Sequence, residues 1–218
     1  MTREEIRDEA RALLNDESTS PPPRFSTTKL NFRLNHVHKR VANATKVLES
    51  SAVDQVATSV REYMLPESTD ILEVRRVELI DDVTDPTTPS TIVLEPTSLS
   101  ALDMESATWK NLKGRPQRWY LRDNMLGFDR KPTDTYNGYD IRVEYAEKPQ
   151  ALDQDTDEPR YPDQYHELVI YGVVAWCKRE DNDYEESQLY QGMFDKGLAK
   201  MRVEQNARKG HIFKMRPL

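Results

Sequence analysis

Towards the C-terminal end of the chain, apolar residues recur at helical spacing. Between Pro162 and Arg179, the residues Tyr165, Leu168, Val169, Gly172, Ala175 and Trp176 fall on one face. Pro162 suits an opening helical turn, where its missing N–H would be unpaired in any case. Asp163 and Glu167 near that start, and Lys178 and Arg179 near the end, carry the signs that the helix dipole favours. A second stripe runs Tyr190, Met193, Phe194, Gly197, Leu198 and Met201, after a capping pattern of Asp183 with Glu186 three residues on. Gly210 supplies its stop signal. The two segments read as long helices folded back on each other, the second roughly 40 Å long. Leu168, Gly172 and Trp176 from the first and Tyr190, Phe194, Gly197 and Leu198 from the second are the expected packing residues of this pair. Gly172, Gly192 and Gly197 lie inside the helices, where each costs about 1 kcal/mol relative to Ala. Close helix approach explains them, and so does tolerance on an exposed face.

The N-terminal part has the same period. Thr2 and Glu5 form a capping box for a short helix to Leu14, with Ile6, Ala10, Leu13 and Leu14 on one narrow face. Asn15 to Arg24, with three consecutive prolines, reads as an extended connector. Ser26 to about Glu49 is a further helix, stepping through Leu30, Leu34, Val37, Val41, Ala44 and Leu48. From about Ala57 the pattern alternates instead. Ile71 to Ile80 reads as a strand whose phase slips at Arg75-Arg76, which predicts a bulge or bend. Thr91 to Glu95, Gln117 to Arg122 and Met125 to Phe128 read as strands, and Ser98 to Glu105 as a helical turn. Asn137-Gly138 is a hairpin signal. Tyr139 to Tyr145 is the clearest strand, with Tyr139, Ile141, Val143 and Tyr145 on one face and Asp140, Arg142 and Glu144 on the other. The predicted fold class is α+β: a helical bundle formed by the N- and C-terminal segments with a β-rich insertion in the middle. The boundaries are 1–56 with 149–210 for the helical domain, 57–148 for the β-rich insertion and 211–218 for a C-terminal docking tail.

Composition adds limits. Over 218 residues, 37% are hydrophobic and 32% charged, with thirteen prolines. So polar a chain is expected to bury part of its surface only in an assembly. No apolar run approaches the ~20 residues of a membrane span, and the N-terminus has no secretory pattern, which predicts synthesis in a cytoplasm. Cys177 is the only cysteine, so one chain has no disulfide. The net charge of -7 argues against general nucleic-acid affinity and suits a channel along which DNA slides without sticking.

Candidate chemistry is sparse. His36 and His38, two apart on a helix, face different ways and make a poor metal pair. His166 has Glu167 beside it but no positioned nucleophile. Asp153 to Asp157 resembles the start of a calcium loop, but Glu158 stands where glycine is needed and Gln164 where the final glutamate should be. A solvated acidic linker is the better reading. No cofactor, metal site or catalytic residue is expected, and the chain does not read as an enzyme. Trp109, Trp119, Tyr120 and Phe128, with Arg115, Arg118 and Arg122 nearby, read either as a stacking platform for bases or as sheet core. The end of the chain, His211, Ile212, Phe213, Lys214, Met215, Arg216 and Leu218 around Pro217, mixes cations with large apolar residues. It reads as a segment that docks on another protein by strand addition or pocket insertion.

Several short stretches, in order and at matching spacing, carry a resemblance. They are Leu34-Asn35-His36-Val37, Arg61 to Pro66, Gly114-Arg115-Pro116 with Trp119-Tyr120, Ile141 to Tyr145, Pro149 to Leu152, Pro162 to His166, and the final helix with Tyr190, Phe194 and Leu198. Over residues 30 to 202 the chain resembles the head–tail connector, or adaptor, proteins of tailed bacteriophages, including the tail tubular protein A type. The resemblance implies a structural virion protein of the neck, made in the host bacterial cytoplasm and without catalytic residues. It implies a homo-oligomeric ring, commonly of twelve copies, between the portal protein and a tail or nozzle protein. Such a ring continues the DNA channel for genome ejection without binding DNA specifically, and offers the tail its platform. The alternative is a nucleic-acid-binding module using the aromatic and arginine part of the β region.

Overall fold

The computed structural model describes residues 1–16, 23–65, 71–81 and 90–214, with 208–214 as backbone only. In chain order its elements are α1 (Arg3–Leu14), α2 (Thr27–Thr45), β1 (Glu49–Gln55), β2 (Glu62–Met64), β3 (Ile71–Asp81) and β4 (Ser90–Pro96). There follow α3 (Leu99–Glu105), β5 (Arg118–Arg122), β6 (Met125–Phe128), β7 (Asp140–Glu147), α4 (His166–Glu180) and α5 (Tyr184–Lys214). The class is mixed α+β. By contact the chain divides into two compact units, Met1–Leu48 with Lys148–Leu218, and Glu49–Glu147.

In the first unit, local signals set the helix ends. The Thr2 hydroxyl accepts from Glu5 N–H at 3.2 Å, and the Glu5 carboxylate accepts from Thr2 N–H at 2.9 Å, so both halves of the capping box are present. Ser26 caps α2 through Lys29 N–H at 3.3 Å. That helix stops at Lys46, in the left-handed region at φ 51°, and the chain becomes strand at Glu49. The predicted helix to about Glu49, and the alternation predicted only from Ala57, are both corrected by β1. Pro162 opens a single 3-10 turn, Asp163–Tyr165, and α4 proper begins at His166. Asp183 caps α5, its carboxylate accepting from Glu186 N–H at 3.3 Å. Gly210 does not end α5, which runs 31 residues to Lys214, about 46 Å at helical rise. A glycine costs a helix only about 1 kcal/mol and stops it only where the chain also turns away.

The core of this unit centres on α4. Its buried residues are His166, Leu168, Val169, Ile170, Val173, Val174, Ala175 and Cys177, which lie around most of the helix rather than along one stripe. Helices α1, α2 and α5 all pack on it. The internal glycines divide. A Cβ on Gly172 would sit 2.5 Å from Val37 Cγ1 and 3.2 Å from Phe194 Cδ2, and one on Gly197 would sit 2.1 Å from Leu168 Cδ2. Gly192 has open space around it.

The second unit is a curled seven-stranded sheet in the order β1-β7-β3-β4-β5-β6-β2. Its pairings are antiparallel except β4 with β5, where Glu95 and Pro96 align with Arg118 and Trp119. The phase slip in β3 is real: its register against β7 shifts between Ile71 and Glu73 and again between Val74 and Arg76. Tyr139, Ile141, Val143 and Tyr145 are buried, whereas Arg142 and Glu144 are exposed. Asn137-Gly138 does not form the predicted hairpin. It follows a 3-10 turn, with Gly138 at φ 86°, and leads β7 between β1 and β3 instead of back along β6. Gly138 N–H donates to Val56 C=O at 2.9 Å, so the glycine meets the chain just after β1. The isoleucine, valine and aromatic side chains of this face make the core with Leu79, Leu94, Trp119 and Phe128.

The two kinds of glycine make a paired test. Gly192→Ala should raise the unfolding free energy by up to about 1 kcal/mol, through helix propensity alone. Gly172→Ala should lower it by about 1–2 kcal/mol, because the β-branched Val37 cannot turn aside. Urea denaturation followed by circular dichroism reads both. Equal gains from the two would show that α2 and α4 are not in close contact at Gly172.

Candidate interaction surfaces

The residues expected between the two long helices have distinct surroundings. Leu168 lies against Gly197, and Phe194 and Leu198 are buried, with the Arg40 guanidinium 4.8 Å from the Phe194 ring. Tyr190 is half-buried, its ring 6.3 Å from that of Tyr171. Trp176 turns to α2: the Arg33 guanidinium lies 3.3 Å from the ring centroid and the Lys29 ammonium 5.5 Å. Of the C-terminal segment, residues 211–214 continue α5 without described side chains. Met215, Arg216 and Leu218 lie outside the described residues.

A polar network joins the helices to the stretch between β7 and α4. The Asn35 amide donates to Leu152 C=O at 3.1 Å and accepts from Leu152 N–H at 2.7 Å. His38 Nε2 lies 3.2 Å from Gln150 C=O, and its Nδ1 lies 3.3 Å from the Tyr161 hydroxyl. A carbonyl only accepts, so Nε2 carries the proton and Nδ1 accepts from Tyr161. By the same reasoning His166 Nε2 donates to Tyr161 C=O at 3.0 Å, and its Nδ1 accepts from the Met1 ammonium at 2.9 Å. His36, by contrast, is exposed. Asp155 accepts from Arg3 at 2.6 Å and Arg7 at 2.8 Å, and Arg7 and Arg3 hold its carboxyl below the usual range. The acidic run is exposed to solvent over 153–156, as expected, and Asp155 within it also anchors α1. Asn35 falls in one of the stretches that carry the family resemblance, but its residue type alone, in a helix rich in polar residues, did not mark it as the partner of Leu152.

The aromatic and arginine region does not assemble into one platform. Trp119 and Phe128 belong to the main sheet core, whereas Trp109 and Tyr120 form a separate cluster with Leu102, their rings edge to face at 5.7 Å. All four are buried, so none offers an open face to a base. Arg118 makes two bonds to Glu105, at 2.6 and 2.7 Å, and Arg122 one to Glu62 at 2.8 Å. Arg115 is exposed. Burial pushes the Cys177 thiol up to about 12, with Glu180 and Asp181 adding to it, so it is not a ready nucleophile. Among the described residues, no group of three or more His, Cys, Asp or Glu could hold a metal ion, and no helix is long and apolar enough to cross a membrane.

What the described surface does offer is large apolar side chains in water. Phe32 is 64% exposed, Val203 67%, Leu189 57% and Met104 88%. Such positions on both units suit contact with other proteins. A family model described as SU10 adaptor protein matches residues 1–213. The chain belongs to the SU10 adaptor protein family. It is thus a bacteriophage adaptor, a structural virion component that meets other virion proteins. No curated protein was found to match it.

The adaptor's buried histidine gives it a pH signature. Burial lowers His38 to about 4, with smaller pushes the same way from His166 and Lys39 and an opposing one from the Gln150 bond. The unfolded chain, with the ordinary value of 6.5, takes up this proton first as pH falls. The contribution is complete above pH 6.5 and lost towards pH 4, up to about 3 kcal/mol. Unfolding free energies measured from pH 7 to 4 should fall more steeply for the native chain than for His38→Gln. Parallel curves would refute a buried neutral imidazole.

Proposed function

We propose that this adaptor forms a ring, commonly of twelve copies, between the portal protein and the tail or nozzle protein in the virion neck. The ring continues the channel through which DNA leaves, and its far side is the platform for tail attachment. The family match along residues 1–213 carries this reading. Two properties support it. The exposed apolar positions named above are available for contact with neighbouring copies in a ring. The net charge of -7 disfavours adhesion of DNA to the wall of a channel. The end of the chain, 211–218, is the segment proposed to grip the portal.

Deleting residues 211–218 tests the portal contact. The shortened chain should keep its circular dichroism spectrum and melting temperature but no longer co-purify with portal protein. Co-purification at the native ratio would reject this segment as the grip. Particles imaged with the adaptor anywhere but the neck would reject the reading as a whole.

A further inference from the structure

Helices α1 and α5 lie on opposite sides of α4. Leu168, Gly172 and Ala175 of α4 meet α5, through Gly197, Phe194 and the Ser187 hydroxyl, which donates to Ala175 C=O at 2.8 Å. His166, about 200° round the helix from Leu168 at 100° per residue, meets the start of α1 through the Met1 ammonium. The faces of α1 and α5 turned away from α4 therefore look in different directions, and both are exposed.

These faces are opposite in charge. On α5, Leu189, Met193, Lys196, Lys200 and Val203 follow one another at steps of four and three residues, opposite the buried Phe194, Leu198 and Met201. Between Leu189 and Val203 this outward face carries two lysines and no carboxylate. Lys200 also lies 4.0 Å from Glu204, one turn further on and just beyond Val203. On α1, the outward face opposite Ile6 and Ala10 carries Glu5, Asp8 and Glu9 around Ala12, with no cation. Arg7, near Asp8 at 3.7 Å, is buried, and Leu13 beside the acidic face is 37% exposed.

We propose that the outward face of α5 in one copy docks on the outward face of α1 in the next. This rests on the ring reading above and names the contact that builds the ring. Lys196 and Lys200 pair with Asp8 and Glu9 of the neighbour, while Leu189, Met193 and Val203 lose water against Ala12, Leu13 and the aliphatic stems of the acids. The two faces differ and look apart, so each contact leaves one free face of each kind. Repetition then gives a head-to-tail chain, which forms a ring when the rotation from copy to copy closes.

The test uses the full chain carrying Ala12→Cys and Ala199→Cys, both exposed and leaving the four proposed charges in place, crosslinked with a short bis-maleimide both in concentrated solution and in assembled particles. Cys177 is buried and is replaced by Ala in every variant. The doubly substituted chain should give a ladder of multimers, and each singly substituted chain only monomer. Reversing Lys196 and Lys200 to Glu should abolish incorporation into particles, and adding Asp8→Lys with Glu9→Lys should restore it. Lys39→Glu, on the exposed side of α2, is the control and should incorporate normally. Multicopy particles without a ladder, or loss of assembly with Lys39→Glu and not with the α5 reversals, would overturn the interface and leave the ring standing. A single copy per particle would overturn the ring reading itself.

Discussion

The first unit depends on covering one helix. The stretch Leu168 to Cys177 is apolar on nearly every side, and a helix of that kind is stable only when it is enclosed. Each fully buried Leu, Ile or Val stabilises by about 1.5–3 kcal/mol relative to exposure, so leaving any side of α4 open forfeits several such terms. Three helices provide the cover. Two of them, α1 and α2, come from the other end of the chain. The enclosed helix is thus the reason residues 1–48 fold with residues 148 onward, and the sheet unit is left as an excursion between them.

Close packing sets where the covering helices can lie, and polar bonds set the connecting chain. Gly172 lets Val37 and Phe194 approach α4 at one level, and Gly197 accepts Leu168 at another. Between β7 and α4 the backbone has no ladder of its own. Asn35 and His38 on α2 satisfy its groups at Leu152 and Gln150, and Asp155 holds α1 through two arginines. An unpaired buried amide or carbonyl costs about 1–3 kcal/mol, so these side chains fix the path of the link as firmly as apolar contact fixes the helices. The neutral state of His38 is part of the same arrangement, since burial disfavours the charged ring and leaves Nδ1 free to accept from the Tyr161 hydroxyl.

Much of this was legible in the sequence, for reasons that differ by element. The helices α1, α2, α4 and α5 announced themselves by period and caps, and β7 by strict alternation, because each has one wet and one dry face or a strong terminal signal. The bulge in β3 was visible as a change of phase at Arg75-Arg76. β1 was not visible: Glu49–Gln55 is an edge strand with Val53 exposed, so no face of it is dry enough to pattern. Gly210 misled because a glycine marks a helix end only by its backbone angle, which composition does not carry. Asn137-Gly138 misled because a left-handed turn residue also serves where the chain passes between strands that are distant in sequence. The aromatic group looked like one surface because Trp119 and Tyr120 are neighbours, yet adjacent strand residues point to opposite faces.

The charge on α5 bears on which assemblies the surface permits. Two copies meeting through their own α5 stripes in antiparallel fashion would bring the Lys196 and Lys200 pair of one against that of the other, and like charges brought together at an interface cost stability and suppress the pairing. The apolar positions Leu189, Met193 and Val203 would otherwise favour such a two-fold dimer, which would close on itself and leave no free face. Lysines in the middle of that stripe therefore act against the simplest competing product. They leave the same apolar residues available to a face of the opposite sign, and on this unit the acidic side of α1 is such a face. A helix that is sticky at its flanks and cationic at its centre is thus better suited to a repeating contact than to a self-limiting pair.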